Sequence, residues 1–146
     1  MKRQEFFATM KAGSAEFDSE TLANLTALAL RVRAGALYGF EWLLWFTAAA
    51  TTTGLKLGLT GPAASLLVIQ SEVQISDTAM QQLTAADYGA LAAGGDSIDG
   101  VNFARIVGTA QFSAGGLLIP QVATEVADSA VIIAAGSRGR AMELVP

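Results

Sequence analysis

From Tyr38 to Thr47 the chain alternates with a period of two: even positions carry Tyr38, Phe40, Trp42, Leu44 and Phe46, and odd positions carry Gly39, Glu41, Leu43, Trp45 and Thr47. That period sends successive side chains to opposite faces of a strand, whereas a helix would scatter the five large even residues around its axis. Burying the even face contributes about 1.5–3 kcal/mol per side chain, which places this strand at the centre of the expected core. Leu43 and Trp45 make the odd face apolar beside Glu41, and a strand that is apolar on both sides needs a second cover. Leu43 and Trp45 are therefore the candidate subunit interface.

The alternation recurs. Leu28, Leu30 and Val32 alternate with Ala29, Arg31 and Arg33; Leu55, Leu57 and Leu59 with Lys56, Gly58 and Thr60; Leu67, Ile69, Val73 and Ile75 with Val68, Gln70, Glu72 and Gln74. Further strands are expected over residues 102–112, 117–126 and 130–134 and near 142–145, with turn-forming stretches at 113–116, 127–129 and 135–140. About eight short strands separated by turns predict an all-β fold, an antiparallel β-sandwich or jelly roll. Two segments stay open. Residues 20–31 are rich in Ala and Leu, so a helix competes with a strand there. Residues 77–95 fit a short helix, an irregular excursion or a weak strand. Residues 1–20 mix Phe6, Phe7, Met10 and Phe17 with charges in no sustained period. They read as an extended N-terminal arm that docks on a neighbouring subunit, with residues 21–146 forming the sandwich domain.

Composition removes several function classes. The chain has 146 residues with neither Cys nor His, which excludes disulfides, thiolate chemistry, a Ser-His-Asp triad and the commonest metal ligand. Thirteen acidic residues outnumber nine basic ones, for a net charge of −4 without a basic run, so nucleic acid is not an expected partner. A hydrophobic content of 52% and a mean hydropathy of +0.45 call for a membrane or a subunit interface to absorb the excess. Fourteen uncharged residues separate Glu41 from Lys56, several of them Thr, where a spanning helix needs about 20 apolar ones. A membrane is thus not expected, and a homo-oligomer is. The N-terminus shows no apolar signal core and reads as unprocessed. Asn24-Leu25-Thr26 matches a glycosylation sequon but reads as a polar turn or strand edge.

Each chemically suggestive residue also has a plain structural reading. Asp96 and Asp99 lie in a Gly-rich loop without the regular acidic spacing of a calcium loop, which makes them turn residues. Glu41 in its apolar strand suits either a buried catalytic acid or a salt bridge to Arg31, Arg33 or Lys56, and the salt bridge is favoured because no second acid or base is near in sequence. Arg138 and Arg140 flank Gly139 and are able to clamp a carboxylate or phosphate, or to form a solvated turn or an intersubunit ion pair. Trp45, or Tyr88 with Asp87, are the candidates for a sugar-stacking platform. The scattered acids argue against a glycosidase. No catalytic, cofactor-binding or metal-binding residue is assigned, no cofactor is expected, and the chain is not read as an enzyme.

Three ordered blocks resemble a family of small proteins from tailed bacteriophages. The first, "NLTALALRVRAGALYGFEWLLWFTAAATTTGLKLGLTGP", carries Tyr38-x-Phe40-Glu41 and the run from Gly54 to Pro62; the second is "SLLVIQSEVQIS". The third, "NFARIVGTAQFSAGGLLIPQVATEVADSAVIIAAGSRGR", carries Ala104-Arg105-Ile106-x-Gly108 and the closing Ala135-Gly136-Ser137. The resemblance spans residues 24–140, while residues 1–20 have no counterpart in it and residues 77–95 match it poorly. It implies a β-sandwich virion structural protein without enzymatic activity: a capsid decoration or cement protein that binds the phage major capsid protein or another virion protein, assembled into particles in the host cytoplasm. Threefold homo-oligomers are the association it implies. The alternative is a host-receptor or glycan-binding module of a head or tail fibre.

Overall fold

The computed structural model describes residues 3–145, the last without its side chain. The described residues form twelve strands and one 3-10 turn: β1 (Glu5–Thr9), β2 (Ala23–Asn24), the turn (Thr26–Leu28), β3 (Leu30–Val32), β4 (Leu37–Ala48), β5 (Leu55–Thr60), β6 (Ala64–Gln74), β7 (Met80–Ala85), β8 (Gly89–Ala93), β9 (Asn102–Phe112), β10 (Gly116–Thr124), β11 (Val131–Ile133) and β12 (Arg138–Val145). Seven strands make one sheet, ordered β1-β12-β4-β9-β6-β7 with β11 also on β4. Five make the other, ordered β2-β10-β5-β8 with β3 also on β10. Every pairing is antiparallel. The fold is the all-β sandwich that the alternation predicts, with more strands than the eight read from the sequence.

Alternation explains where the core sits. Tyr38, Phe40, Trp42, Leu44 and Phe46 of β4 are all buried, against Leu55, Leu57 and Leu59 of β5 and Leu118 and Val122 of β10 in the facing sheet. Trp42 satisfies its one polar group by donating Nε1–H to the carbonyl of Leu28 at 2.9 Å. Opposite it in the register stands Gly139, where a Cβ would lie 2.3 Å from the indole. A side chain there collides with the ring, so only glycine lets β12 pass.

The two open segments resolve as strands with physical reasons. Over residues 20–31 helix propensity loses to burial: Leu25, Leu28, Leu30 and Val32 are all buried, and the 3-10 turn between β2 and β3 offers the Leu28 carbonyl to Trp42. Residues 77–95 contain β7 and β8, which extend the two sheets on the same side. β7 escaped detection because four of its six residues are exposed, leaving no alternation to read. The turn expected over residues 135–140 is present at Ala135 and Gly136, and residues 138–140 already belong to β12.

The expected arm is corrected. Within residues 1–20, Met1 and Lys2 lie outside the described residues, but Glu5–Thr9 is the edge strand of the larger sheet, paired with Arg138–Met142 of β12. Phe6 and Ala8 pack on the core, Met10 is buried, and Phe17 exchanges two backbone hydrogen bonds with Val131 at 2.9 and 3.0 Å. An odd-even pattern is present in β1 but five residues are too few to distinguish it from chance. Of the four arm residues only Phe7 faces outward, 67% exposed. Deleting residues 1–17 is therefore expected to cost at least about 3 kcal/mol of stability, from the lost Phe6, Met10 and Phe17 packing. Urea denaturation measures this, and an unchanged midpoint would mean that the segment is an appendage.

Candidate functional site

The outer face of the seven-stranded sheet is assembled by register. One cross-strand row reads Phe7, Arg140, Glu41, Val107, Gln70, Thr84, and the next reads Thr9, Arg138, Leu43, Arg105, Glu72, Gln82. Because Gly139 must face inward under Trp42, its neighbours Arg138 and Arg140 are obliged to face outward. Glu41 lies near the middle. It accepts from Arg105 Nε at 2.9 Å and from the second nitrogen of the same guanidinium, and Arg140 approaches its other oxygen at 3.8 Å.

The Glu41 partners differ from those expected. Arg31 and Arg33 belong to β3 and its end, in or beside the opposite sheet, and Arg33 binds Glu143 at 2.8 Å. The second Glu143 oxygen accepts from the backbone of Gln4 at 3.3 Å. Lys56 donates to the Glu20 carbonyl at 3.2 Å. Arg105 stands in the quoted Ala-Arg-Ile block, but its proximity to Glu41 depends on the pairing of β4 with β9, 64 residues apart. Nothing local in the sequence signals that pairing.

Two candidate sets that were separate in sequence come together here. Phe7, Thr9, Leu43, Arg138 and Arg140 line a groove of about 340 Å³ with Glu41 at its inner side. Arg138 is exposed, and within the described residues its guanidinium reaches only the Gly136 carbonyl at 3.4 Å. Leu43 and Trp45 are half-buried, and Trp45 is tilted against Phe103 with ring centroids 5.2 Å apart. Part of the cover that the odd face of β4 needs thus comes from β9 itself. Phe6, Met10 and Phe17 pack on their own core.

The remaining candidates are absorbed by structure. Asp96 and Asp99 sit in a loop organised by Asn102, whose amide group binds Ile98 N–H at 2.8 Å and Ile98 carbonyl at 3.0 Å. Among the described residues no group of three or more His, Cys, Asp or Glu is placed to hold a metal ion. No helix of the described residues is long and apolar enough to cross a membrane. The Tyr88 hydroxyl donates to the Pro62 carbonyl at 2.7 Å, away from Trp45, and Asp87 beside it is exposed.

Burial pushes the Tyr88 phenol up from 10.0 to about 12. Below the lower value both folded and unfolded chains hold the neutral phenol. Between the two the unfolded chain ionises first, so stability falls as pH rises through that window. Urea midpoints at about pH 9 and about pH 11.5 are expected to differ by less in Tyr88→Phe than in the native chain, and equal pH slopes would remove Tyr88 as a cause.

No protein-family model and no curated protein matches the chain. Among solved structures it is similar to the TNF protein Eiger from S. frugiperda, at 12% identity and a TM-score of 0.44, over 98% of this chain and 92% of that one. It is also similar to a chain of infectious bursal disease virus, Gx strain, at 14% identity and a TM-score of 0.24, over 100% of this chain and 38% of the viral one.

Proposed function

We propose that the chain is a non-enzymatic virion structural protein of a tailed bacteriophage, a decoration or cement protein that binds the assembled shell and stabilises it through subunit contacts. The observation that carries this reading is the outer sheet face, where exposed Phe7, half-buried Leu43 and two outward arginines meet in one groove. An apolar patch rimmed by charge is a protein-contact surface in its chemistry. The three sequence blocks over residues 24–140 supply the phage assignment. Glu41, the carboxylate placed most like a buried acid, is engaged by two guanidiniums, which supports a positioning role over an acid-base one.

Burying the apolar part of such a face on a shell or a neighbouring subunit removes both the hydration cost of Leu43 and Trp45 and the aggregation hazard of the open face. Purified chain is expected to co-sediment with phage shells assembled without it and to raise the temperature at which those shells break. Absence of co-sedimentation, with binding to host glycans on an array, would transfer the assignment to a receptor module.

Two substitutions separate the two faces of β4. Trp45→Glu is expected to keep the cooperative unfolding transition and weaken binding to shells, because it alters the outer face alone. Trp42→Glu places a charge in the core and strands the Leu28 carbonyl, so no folded protein is expected. Circular dichroism reads folding and co-sedimentation with shells reads binding, and undiminished shell binding of Trp45→Glu would sink the outer-face assignment.

A further inference from the structure

The edge of the seven-stranded sheet next to the groove has a charge pattern of its own. β1 ends the sheet, and Gln4 and Met10 bond across to Glu143 and Ser137. By antiparallel alternation the backbone groups of Glu5, Phe7 and Thr9 are directed to the open side. The same edge continues through residues 10–17: Ser14 N–H donates to the Ile133 carbonyl at 2.8 Å, and Phe17 pairs with Val131. One half of this edge presents Arg138 and Arg140 beside exposed Phe7, with Glu5 as the opposing charge on β1. The other half presents Glu16, Asp18 and Glu20, all exposed and, among the described residues, without a salt-bridge partner; they outnumber Lys11 in the same stretch and Lys56, whose ammonium donates to the Glu20 carbonyl.

An edge that is cationic at one half and anionic at the other is complementary to itself when turned through a two-fold axis. We propose that a second copy of this chain docks along this edge, with Glu16, Asp18 and Glu20 of each copy facing Arg138 and Arg140 of the other and Phe7 buried in the contact. Both halves are engaged at once, so the contact closes as a dimer rather than propagating. Two features commit the groove to this occupant. The chain itself carries the complementary anions, on the stretch that continues this edge and then crosses to the five-stranded sheet at Ser19 and Glu20; and Arg138 and Arg140 are left underused at home, the first on a single carbonyl at 3.4 Å and the second at 3.8 Å from a carboxylate already held by Arg105. Exposed ion pairs are individually weak, so the charges orient the contact and Phe7 with the open backbone of β1 supplies the burial. A two-fold dimer replaces the threefold association implied by the phage resemblance.

The test is a charge exchange read by sedimentation velocity on the full chain. The native protein is expected to be dimeric at about 0.1 M salt and monomeric at about 1 M, where the screening length shrinks to about 3 Å. Arg138→Glu with Arg140→Glu sets acid against acid and is expected to be monomeric; so is Glu16→Lys with Asp18→Lys and Glu20→Lys, which sets base against base. Mixing these two variants makes both contacts attractive again, and a heterodimer is expected. Circular dichroism of each variant confirms that it is folded. A native chain that is monomeric at low salt overturns the proposal, as does either folded variant associating like the native chain, or a mixture of folded variants that stays monomeric. The inference rests on self-association and not on the virion assignment. Shell co-sedimentation by the monomeric Glu16→Lys, Asp18→Lys, Glu20→Lys variant, whose groove residues are native, reports on that assignment separately.

Discussion

The rest of the molecule depends on how Trp42 is packed. Its indole is fully buried, its N–H is taken by the Leu28 carbonyl, and Gly139 leaves room for its face. Those contacts join three separate parts of the chain: the 3-10 turn before β3, the centre of β4 and the start of β12. They also set a register. A slip of β12 by one residue along β4 would replace Gly139 with Arg138 or Arg140 beneath the ring, burying an unpaired guanidinium in an apolar core at a cost of several kcal/mol. With Gly139 inside, the two arginines have one place to go. The outer groove is thus a consequence of the inner packing: a buried tryptophan decides which side chains that groove displays.

Ion pairs do a different task. Glu143 is nearly buried, 5% exposed at its side chain, and divides its oxygens between Arg33 and the backbone of Gln4. Arg33 itself is 54% exposed, so solvent screens the pair and its contribution to stability is small. Its role is geometric: it ties the start of the chain and the end of β3 to the last strand. Glu41 acts in the same way across the centre of the outer face, linking β4 to β9 and β12 through Arg105 and Arg140.

Legibility in the sequence followed burial. Where one face is buried and the other open, as in β4, β5, β6 and β9, the period of two names the core residues directly, and Tyr38, Phe40, Trp42, Leu44 and Phe46 are where it puts them. Where a strand is exposed on both faces, as in β7, or only five residues long, as in β1, there is no contrast to read. Residues 20–31 show the opposite failure: good helix formers whose propensity, worth tenths of a kcal/mol each, yields to burying Leu25, Leu28 and Leu30. Leu43, Arg138 and Arg140 were visible as candidates one by one. Their meeting with Phe7 was not, because cross-strand neighbours in a sandwich are set by register between segments far apart in the chain, and a single sequence carries no direct record of it.

Charge distribution shows why the net value of −4 is a poor guide to this surface. The loops between β4 and β5, β6 and β7, β8 and β9, and β10 and β11 gather at one end of the sandwich, three of them tied together by hydrogen bonds from Ser97 to Thr51, Gly94 to Leu55 and Glu125 to Gly54. They hold Asp77, Asp96, Asp99, Glu125 and Asp128 and no lysine or arginine. The outer sheet face, by contrast, sets Arg105, Arg138 and Arg140 among Glu5, Glu41 and Glu72, close to neutral. The molecule thus has an end that repels anions and a nearly neutral face, and in the dimer proposed above that field would turn the face toward the acidic stretch of the second copy before contact. Steering of this kind raises the encounter rate and fixes orientation, while lasting affinity has to come from desolvated apolar area. On this face that area is Phe7 and Leu43, within the same groove as the two arginines, so orientation and affinity are built into one surface.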